Sequence, residues 1–333
     1  MKLFKKTFIL TLIFVQCAFC FATSARYQDE NYIINVHYND TVIPGDAIFV
    51  RMEINTPKNH KKNKSDSENQ ATLQFIQEKD KKILEKAPFY SITKKKSTTY
   101  AEMLCGVPVS PWLKTDKEDG FSLKVIFKMA EDENAKEFYL PVTFKNKDFP
   151  QEILELNEAN SNIKQDYGPE RMAQIEKLNK ILYTANNQNV FSLKKFICPT
   201  TSTRHTAYFG DRRTYVYTNG EKSTSLHYGN DYGVPEGSEV KSCQEGKVVM
   251  AEWRISTGYS IVIEHLPGLY SLYYHLSSMN VKPGDYVKQN QLIGKSGSTG
   301  LATGPHLHWE MRLNAGAVRP EFFMEDFTFS EDN

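Results

Sequence analysis

Near its C-terminus the chain reads Gly304-Pro305-His306-Leu307-His308-Trp309-Glu310-Met311-Arg312, an alternation of polar and apolar residues that suits a β-strand. Side chains at i and i+2 of a strand share a face. His306 and His308 therefore project together, and Leu307 is left for the opposite, packed face. Two imidazoles held that close suffer if both are charged, so a metal ion or a shared proton is the natural reason to place them there. The plainer alternative is a pair of surface histidines on an edge strand, and the surrounding sequence has to decide between them.

Working outward, five of the eight histidines fall between His227 and His308. Catalytic zinc sites usually take three ligands from His, Asp or Glu and leave a fourth position open. His227 and Asp231, in His227-Tyr228-Gly229-Asn230-Asp231, are candidates, with Gly229 expected to let the backbone bend so that both reach one ion. His275 closes the run Leu272-Tyr273-Tyr274-His275, and His265 closes Ile261-Val262-Ile263-Glu264 before a Pro267-Gly268 turn; His265 reads as structural. The region is dense in glycine between short strands such as Lys247 to Ala251, Tyr259 to Glu264 and Leu269 to Tyr274. That predicts an antiparallel β domain over residues 196–333.

Other chemistries fit less well. Gly294-Lys295-Ser296 resembles the end of a phosphate loop, but Gln289 stands where that loop needs its first glycine. Glu264 and Glu310 are single carboxylates without a glycosidase partner. Outside the N-terminal segment only Cys105, Cys198 and Cys243 remain, too few and too widely spaced for a disulfide framework, although one pair could form. A net charge of +1 gives no sign of a nucleic-acid partner.

Before this domain the period changes twice. Between Tyr32 and Phe144, short apolar runs separated by turns (Ala47 to Val50, Phe121 to Phe127, Phe138 to Val142) predict an immunoglobulin-like β-sandwich over residues 26–150. The polar stretch from Thr56 to Gln70 reads as a solvated loop inside it. Residues 151–195 predict a helical connector, because Met172, Ile175, Leu178, Ile181 and Leu182 recur at helical spacing after Pro169. Residues 1–25 have a basic start (Lys2, Lys5, Lys6), an apolar run to Phe21 and a small-residue exit at Ala22 to Ala25. This is the pattern of a signal peptide, too short for a permanent span. Gln16 and Phe19 precede Cys17 and Cys20 where a lipid-modified cysteine would follow a small residue. An exported protein, in the periplasm, cell envelope or medium, with no stable membrane span after cleavage, is expected.

The ordered set His227 to Asp231, Gly246-Lys247-Val248, Tyr273-Tyr274-His275-Leu276, Val281 to Val287, Gln291 to Gly294, Gly297 to Gly300 and Gly304 to Glu310 resembles the LytM/lysostaphin-type zinc metallopeptidases. Phe209-Gly210-Asp211-Arg212-Arg213 looks like that family's entry to the domain, and the resemblance covers roughly the last 130 residues. Departures are small: Asn230 and Tyr232 flank Asp231 where apolar residues are usual, and Tyr273 fills the tyrosine position with Tyr274 before His275. The resemblance implies His227, Asp231 and His308 as ligands of one Zn2+ and His275 and His306 as unligated catalytic histidines. It implies peptidoglycan as partner and peptide bonds in its stem peptides or cross-bridges as substrate. Some members of that family have lost zinc ligands and activate other murein hydrolases, so the alternative reading is a wall-binding or regulatory protein; this chain keeps the whole set, which favours the enzyme. Oligomeric state and the histidine acting as base stay open.

Overall fold

The computed structural model describes residues 9–13, 23–56, 69–93, 99–115, 119–129, 132–327 and 329. The chain is mostly β, with 49% strand against 10% helix, as its alternating patterns predict. It divides into two compact units near residue 146.

In the N-terminal unit two sheets share one core. Ile9–Ile13, Thr23–Gln28, Ile33–Tyr38, Ala47–Asn55, Tyr100–Pro108 and Tyr90–Ser91 form one, in that spatial order. Thr41–Val42, Lys136–Phe144, Phe121–Lys128, Gln70–Gln77 and Lys82–Pro88 form the other. Ile34, Val36 and Met52 from the first sheet lie in one apolar cluster with Leu73, Leu123 and Val125 from the second. Alternation in sequence thus becomes an inward and an outward face. Part of the apolar segment read as a leader is extended here, Ile9–Ile13 pairing antiparallel with Thr23–Gln28. Its basic start, Cys17 and Cys20 lie outside the described residues, as does most of the polar stretch from 56 to 70.

The connector is only partly helical. It opens with a strand, Gln151–Glu155, paired in parallel with Arg212–Val216. Two helices follow, Glu158–Gln165 and Pro169–Leu182. Asn157 caps the first by accepting from the Asn160 N–H at 2.9 Å, and Pro169 takes the first position of the second, where its missing N–H does no harm. Leu182 packs with Met250, Val262, Tyr270 and Leu272, which docks the second helix on the C-terminal sheet. Among the described residues no helix is long and apolar enough to cross a membrane.

That sheet carries the order His205–Ala207, Gly229–Tyr232, Leu307–Leu313, Leu269–Met279, Gly258–Leu266, Gly246–Arg254, Tyr286–Val287. Its middle strands are buried on both faces, which is why Ile261-Val262-Ile263 reads as a continuous apolar run. Cys105, Cys198 and Cys243 are all free thiols.

Candidate metal centre

Strand register assembles the site. Asp231 lies directly opposite His308 across the pair Gly229–Tyr232 and Leu307–Leu313, and Tyr274 lies opposite His308 on the other side. Directly opposed residues of antiparallel strands stand about 5 Å apart, close enough to share one ion. Gly229 has a role different from the bend expected of it: its backbone is ordinary strand, but a Cβ there would meet the Trp309 carbonyl oxygen at 2.2 Å. It is small so that the two ligand-bearing strands can close. His227 precedes the strand and is clamped by backbone bonds, its N–H to Asp211 O at 2.9 Å and its O from Gly210 N–H at 2.9 Å.

His227 Nε2, Asp231 Oδ1 and His308 Nδ1 converge, at 3.0 Å between the two nitrogens and 3.1 and 2.7 Å to the oxygen. The outer ends of both rings are already used. His227 Nδ1–H donates to Tyr208 O at 2.8 Å, and His308 Nε2–H donates to Glu310 Oε1 at 2.9 Å. With those tautomers, two bare nitrogen lone pairs and a carboxylate oxygen face one another, which only a cation can reconcile. Donors on a tetrahedral zinc with arms of about 2.0 Å stand about 3.3 Å apart, so the observed corner needs only slight opening to fit such an ion. Without a metal the proton takes its place. Burial pulls His308 down, but Asp231 and Glu310 outweigh it and raise it to about 9. Asp231 is driven well down by the two histidines against its own desolvation.

Charges behind the donors fix their aim. Arg213 donates to Asp231 Oδ2 at 3.0 Å, leaving Oδ1 for the corner, and also contacts Glu152 at 3.3 Å. Arg312 Nε donates to Glu310 Oε2 at 2.7 Å. Tyr274 lies parallel to the His308 ring, 5.5 Å between centroids.

His275 and His306 lie beside the corner, their ring centroids 4.7 Å apart and His275 6.1 Å from the His308 ring. Each donates Nδ1–H to a backbone carbonyl, His275 to Thr299 O at 2.7 Å and His306 to Gly304 O at 2.8 Å, so each has a bare Nε2. His306 Nε2 is 3.8 Å from Asp231 Oδ1. Burial, reinforced by His306 and His308, lowers His275 to about 3; burial also lowers His306. Both are neutral near pH 7. His275 adopts φ +60, an unusual backbone for a non-glycine residue. The loop through Thr299 holds it there: Thr299 Oγ1 donates to Leu276 O at 2.7 Å, and a Cβ on Gly258 (φ +62) would sit 1.9 Å from that hydroxyl. The Gly297 to Gly300 turn is thus a brace for His275.

The structure brings all five singled-out residues together, and leaves His265 apart. His265 is buried, bonds Glu245 O at 2.8 Å and Ser271 Oγ at 2.7 Å, and is held neutral by burial at about 4. Sequence reasoning missed Glu310, Arg312, Arg213 and Thr299. Two of these had a signal, since Glu310 and Arg312 continue the i+2 face of His306 and His308.

Three convergent donors, two neutral histidines beside them and an antiparallel sheet behind make a candidate metal centre. Residues 225–320 match the model of peptidase family M23. Lysostaphin of Staphylococcus simulans is 45% identical over 92 residues, 27% of this chain and 19% of its own length. The peptidoglycan DD-endopeptidase ShyA of Vibrio cholerae is 39% identical over 115 residues, 34% of this chain and 26% of its own. The matches therefore span about a quarter or less of these relatives. A solved structure from Pseudomonas aeruginosa, described as an M23 peptidase, covers 86% of this chain and 96% of its own with a TM-score of 0.51 at 19% identity, a likeness of fold.

Proposed function

We propose that the protein is an exported zinc-dependent endopeptidase that hydrolyses peptide bonds in the stem peptides or cross-bridges of peptidoglycan. The observation that carries this is the corner of two bare imidazole nitrogens and one carboxylate oxygen at 2.7–3.1 Å. His227, Asp231 and His308 would hold the ion, and zinc suits a donor set of two nitrogens and one oxygen. When bound, it supplies Lewis acidity that activates water and polarises the scissile carbonyl. The choice of peptidoglycan is supported by the 39% identity to a peptidoglycan DD-endopeptidase. Export is supported by the basic and apolar N-terminal pattern.

The chain's own residues do the proton work. Neutral at working pH, His275 and His306 present Nε2 atoms that can orient the attacking water, accept its proton and return it to the departing amine. A protonated imidazole at the same place stabilises the developing oxyanion. Their bonds to Thr299 O and Gly304 O keep the rings from turning.

The test is digestion of purified peptidoglycan by metal-loaded protein, with released fragments read by mass spectrometry and His308→Ala as control. New amine and carboxylate ends within peptides, absent from the control, are expected. Fragments cut in the glycan, or none from several wall types, would reject the proposal.

A further inference from the structure

The N-terminal unit carries a groove of its own, on the outward face of the sheet that holds Gln70–Gln77, Phe121–Lys128 and Lys136–Phe144. Leu73, Phe75, Leu123, Val125, Phe138 and Leu140 belong to the core, so Gln74, Lys124 and Tyr139, which alternate with them, face outward. Register sets these three in one row: Lys124 is directly opposite Gln74 on one side and Tyr139 on the other. With neighbouring strands about 4.8 Å apart, Gln74 and Tyr139 stand about 10 Å from each other across the row. All three line one open groove of about 670 Å³. Ile76 and Ile83, a directly opposed pair, add apolar surface to the same groove.

Gln74 is the anomaly. It is only 8% exposed, yet among the described residues its side-chain amide makes no hydrogen bond. A buried amide left unpaired is costly, and a ligand that meets it recovers that cost. The charges nearby are already balanced. Lys124 Nζ pairs with Glu137 Oε2 at 2.7 Å, and Glu78 is held by Lys81 and by the Ser122 hydroxyl. The groove therefore suits a neutral ligand that offers Gln74 both a donor and an acceptor. The rest of the ligand has to be apolar on one face, because Tyr139 is 47% exposed and Ile83 48%. Lys124 lies 5.5 Å from the centre of the Tyr139 ring and steadies it beside the groove.

A pyranose has this composition, with a C–H face that lies flat on an aromatic ring and an edge of hydroxyls. An acetamido substituent adds one N–H and one C=O, the complement of the Gln74 amide. A peptide ligand adds to a sheet edge through backbone bonds, whereas this groove crosses the face of four paired strands. We infer that the groove binds a neutral N-acetylated glycan chain, with Tyr139 under a sugar ring and Gln74 on an acetamido group. The choice of N-acetylated sugar rests on the peptidoglycan reading above, and the groove goes beyond it by giving the N-terminal unit a ligand separate from the scissile peptide.

The probe is chitohexaose, a soluble β-linked N-acetylglucosamine chain without peptide, titrated calorimetrically into the full chain. Wild type should bind it, and Tyr139→Ala and Gln74→Leu should each weaken binding about tenfold or more. Gln74→Leu fills the same space and removes an unpaired amide, so its thermal midpoint should equal or exceed that of wild type. Cellohexaose, which lacks acetamido groups, should bind wild type more weakly and should not distinguish Gln74→Leu from it. Cleavage is measured separately on the metal-loaded chain: both variants should cut a sugar-free stem-peptide dimer at the wild-type rate and show a raised KM on intact peptidoglycan. No binding of chitohexaose, binding that survives both substitutions, or a sugar-free dimer that binds in its place and is lost in Tyr139→Ala, overturns the glycan groove. Chitohexaose binding lost in the variants, with no cleavage of peptidoglycan by wild type, upholds the groove and rejects the peptidase reading. Cleavage of peptidoglycan without chitohexaose binding does the reverse.

Discussion

Glu310→Gln is the sharpest perturbation of the centre that leaves its ligands in place. Glu310 is buried, takes the His308 Nε2–H at 2.9 Å and is itself held by Arg312 Nε at 2.7 Å. Glutamine keeps the shape and one acceptor but removes the charge. Replacing a charge-assisted bond by a neutral one forfeits about 1–2 kcal/mol of the preference for the correct ring orientation. That corresponds to a metal dissociation constant raised about tenfold or more, in the range expected for partners behind a ligand. One effect opposes it. The same carboxylate helps hold His308 protonated up to about 9 in the metal-free chain, so at neutral pH its removal also relieves proton competition. The loss of affinity is therefore partly masked near pH 7 and more fully visible at about pH 9.5, where His308 is mostly unprotonated in both proteins. Competition against a chromogenic chelator at both pH values reads this directly. A folded variant with wild-type affinity at the higher pH would refute the idea that Glu310 orients His308. The metal-free variant also unfolds more easily, by about 1–3 kcal/mol, because Arg312 loses its charged partner.

Three further outcomes follow from the same geometry. His275→Ala and His306→Ala should each reduce turnover by about 10²–10⁴ while the metal dissociation constant stays within a few-fold, measured by cleavage rate and chelator competition; a lost metal would make them ligands instead. Gly258→Ala, at φ +62 with a Cβ 1.9 Å from Thr299 Oγ1, should destabilise the domain by about 2–3 kcal/mol in urea denaturation and slow cleavage by displacing the brace of His275. The buried His265, at about 4, binds its proton in the unfolded chain first. Its own contribution is full above about pH 6.5 and is lost, by about 3 kcal/mol, as pH drops towards 4, alongside losses of the same sign from His275 and His306. His265→Gln should make the acid limb shallower by that amount, and an identical pH profile for variant and wild type would sink the assignment.

The centre was legible because much of it is local. His306, His308, Glu310 and Arg312 lie on one strand face, and His227 and Asp231 are four residues apart, so their spacing carries through to space. Glu310 was visible in that alternation but read as a lone carboxylate, since a carboxylate orienting a ligand looks the same in sequence as one facing solvent. Arg213, Tyr208 and Thr299 were hidden for another reason. Each reaches the site through strand register or a loop contact 18 or more residues away, and register is not written in local pattern. The same limit explains Gln151–Glu155, a short alternating run that becomes a strand because the Arg212–Val216 edge is there to pair with. Gly229 taught the converse: its smallness was noticed, but the neighbour demanding it, the Trp309 carbonyl, was visible only once the strands were paired.

The most direct test of the central claim is metal reconstitution. Protein stripped with a chelator is titrated with zinc while new amine ends released from peptidoglycan are counted. Activity should be absent at the start, rise linearly, and plateau at one zinc per chain, with Asp231→Ala showing neither binding nor activity. Full activity in the stripped protein, or a stoichiometric zinc that survives Asp231→Ala and His308→Ala, would contradict the account.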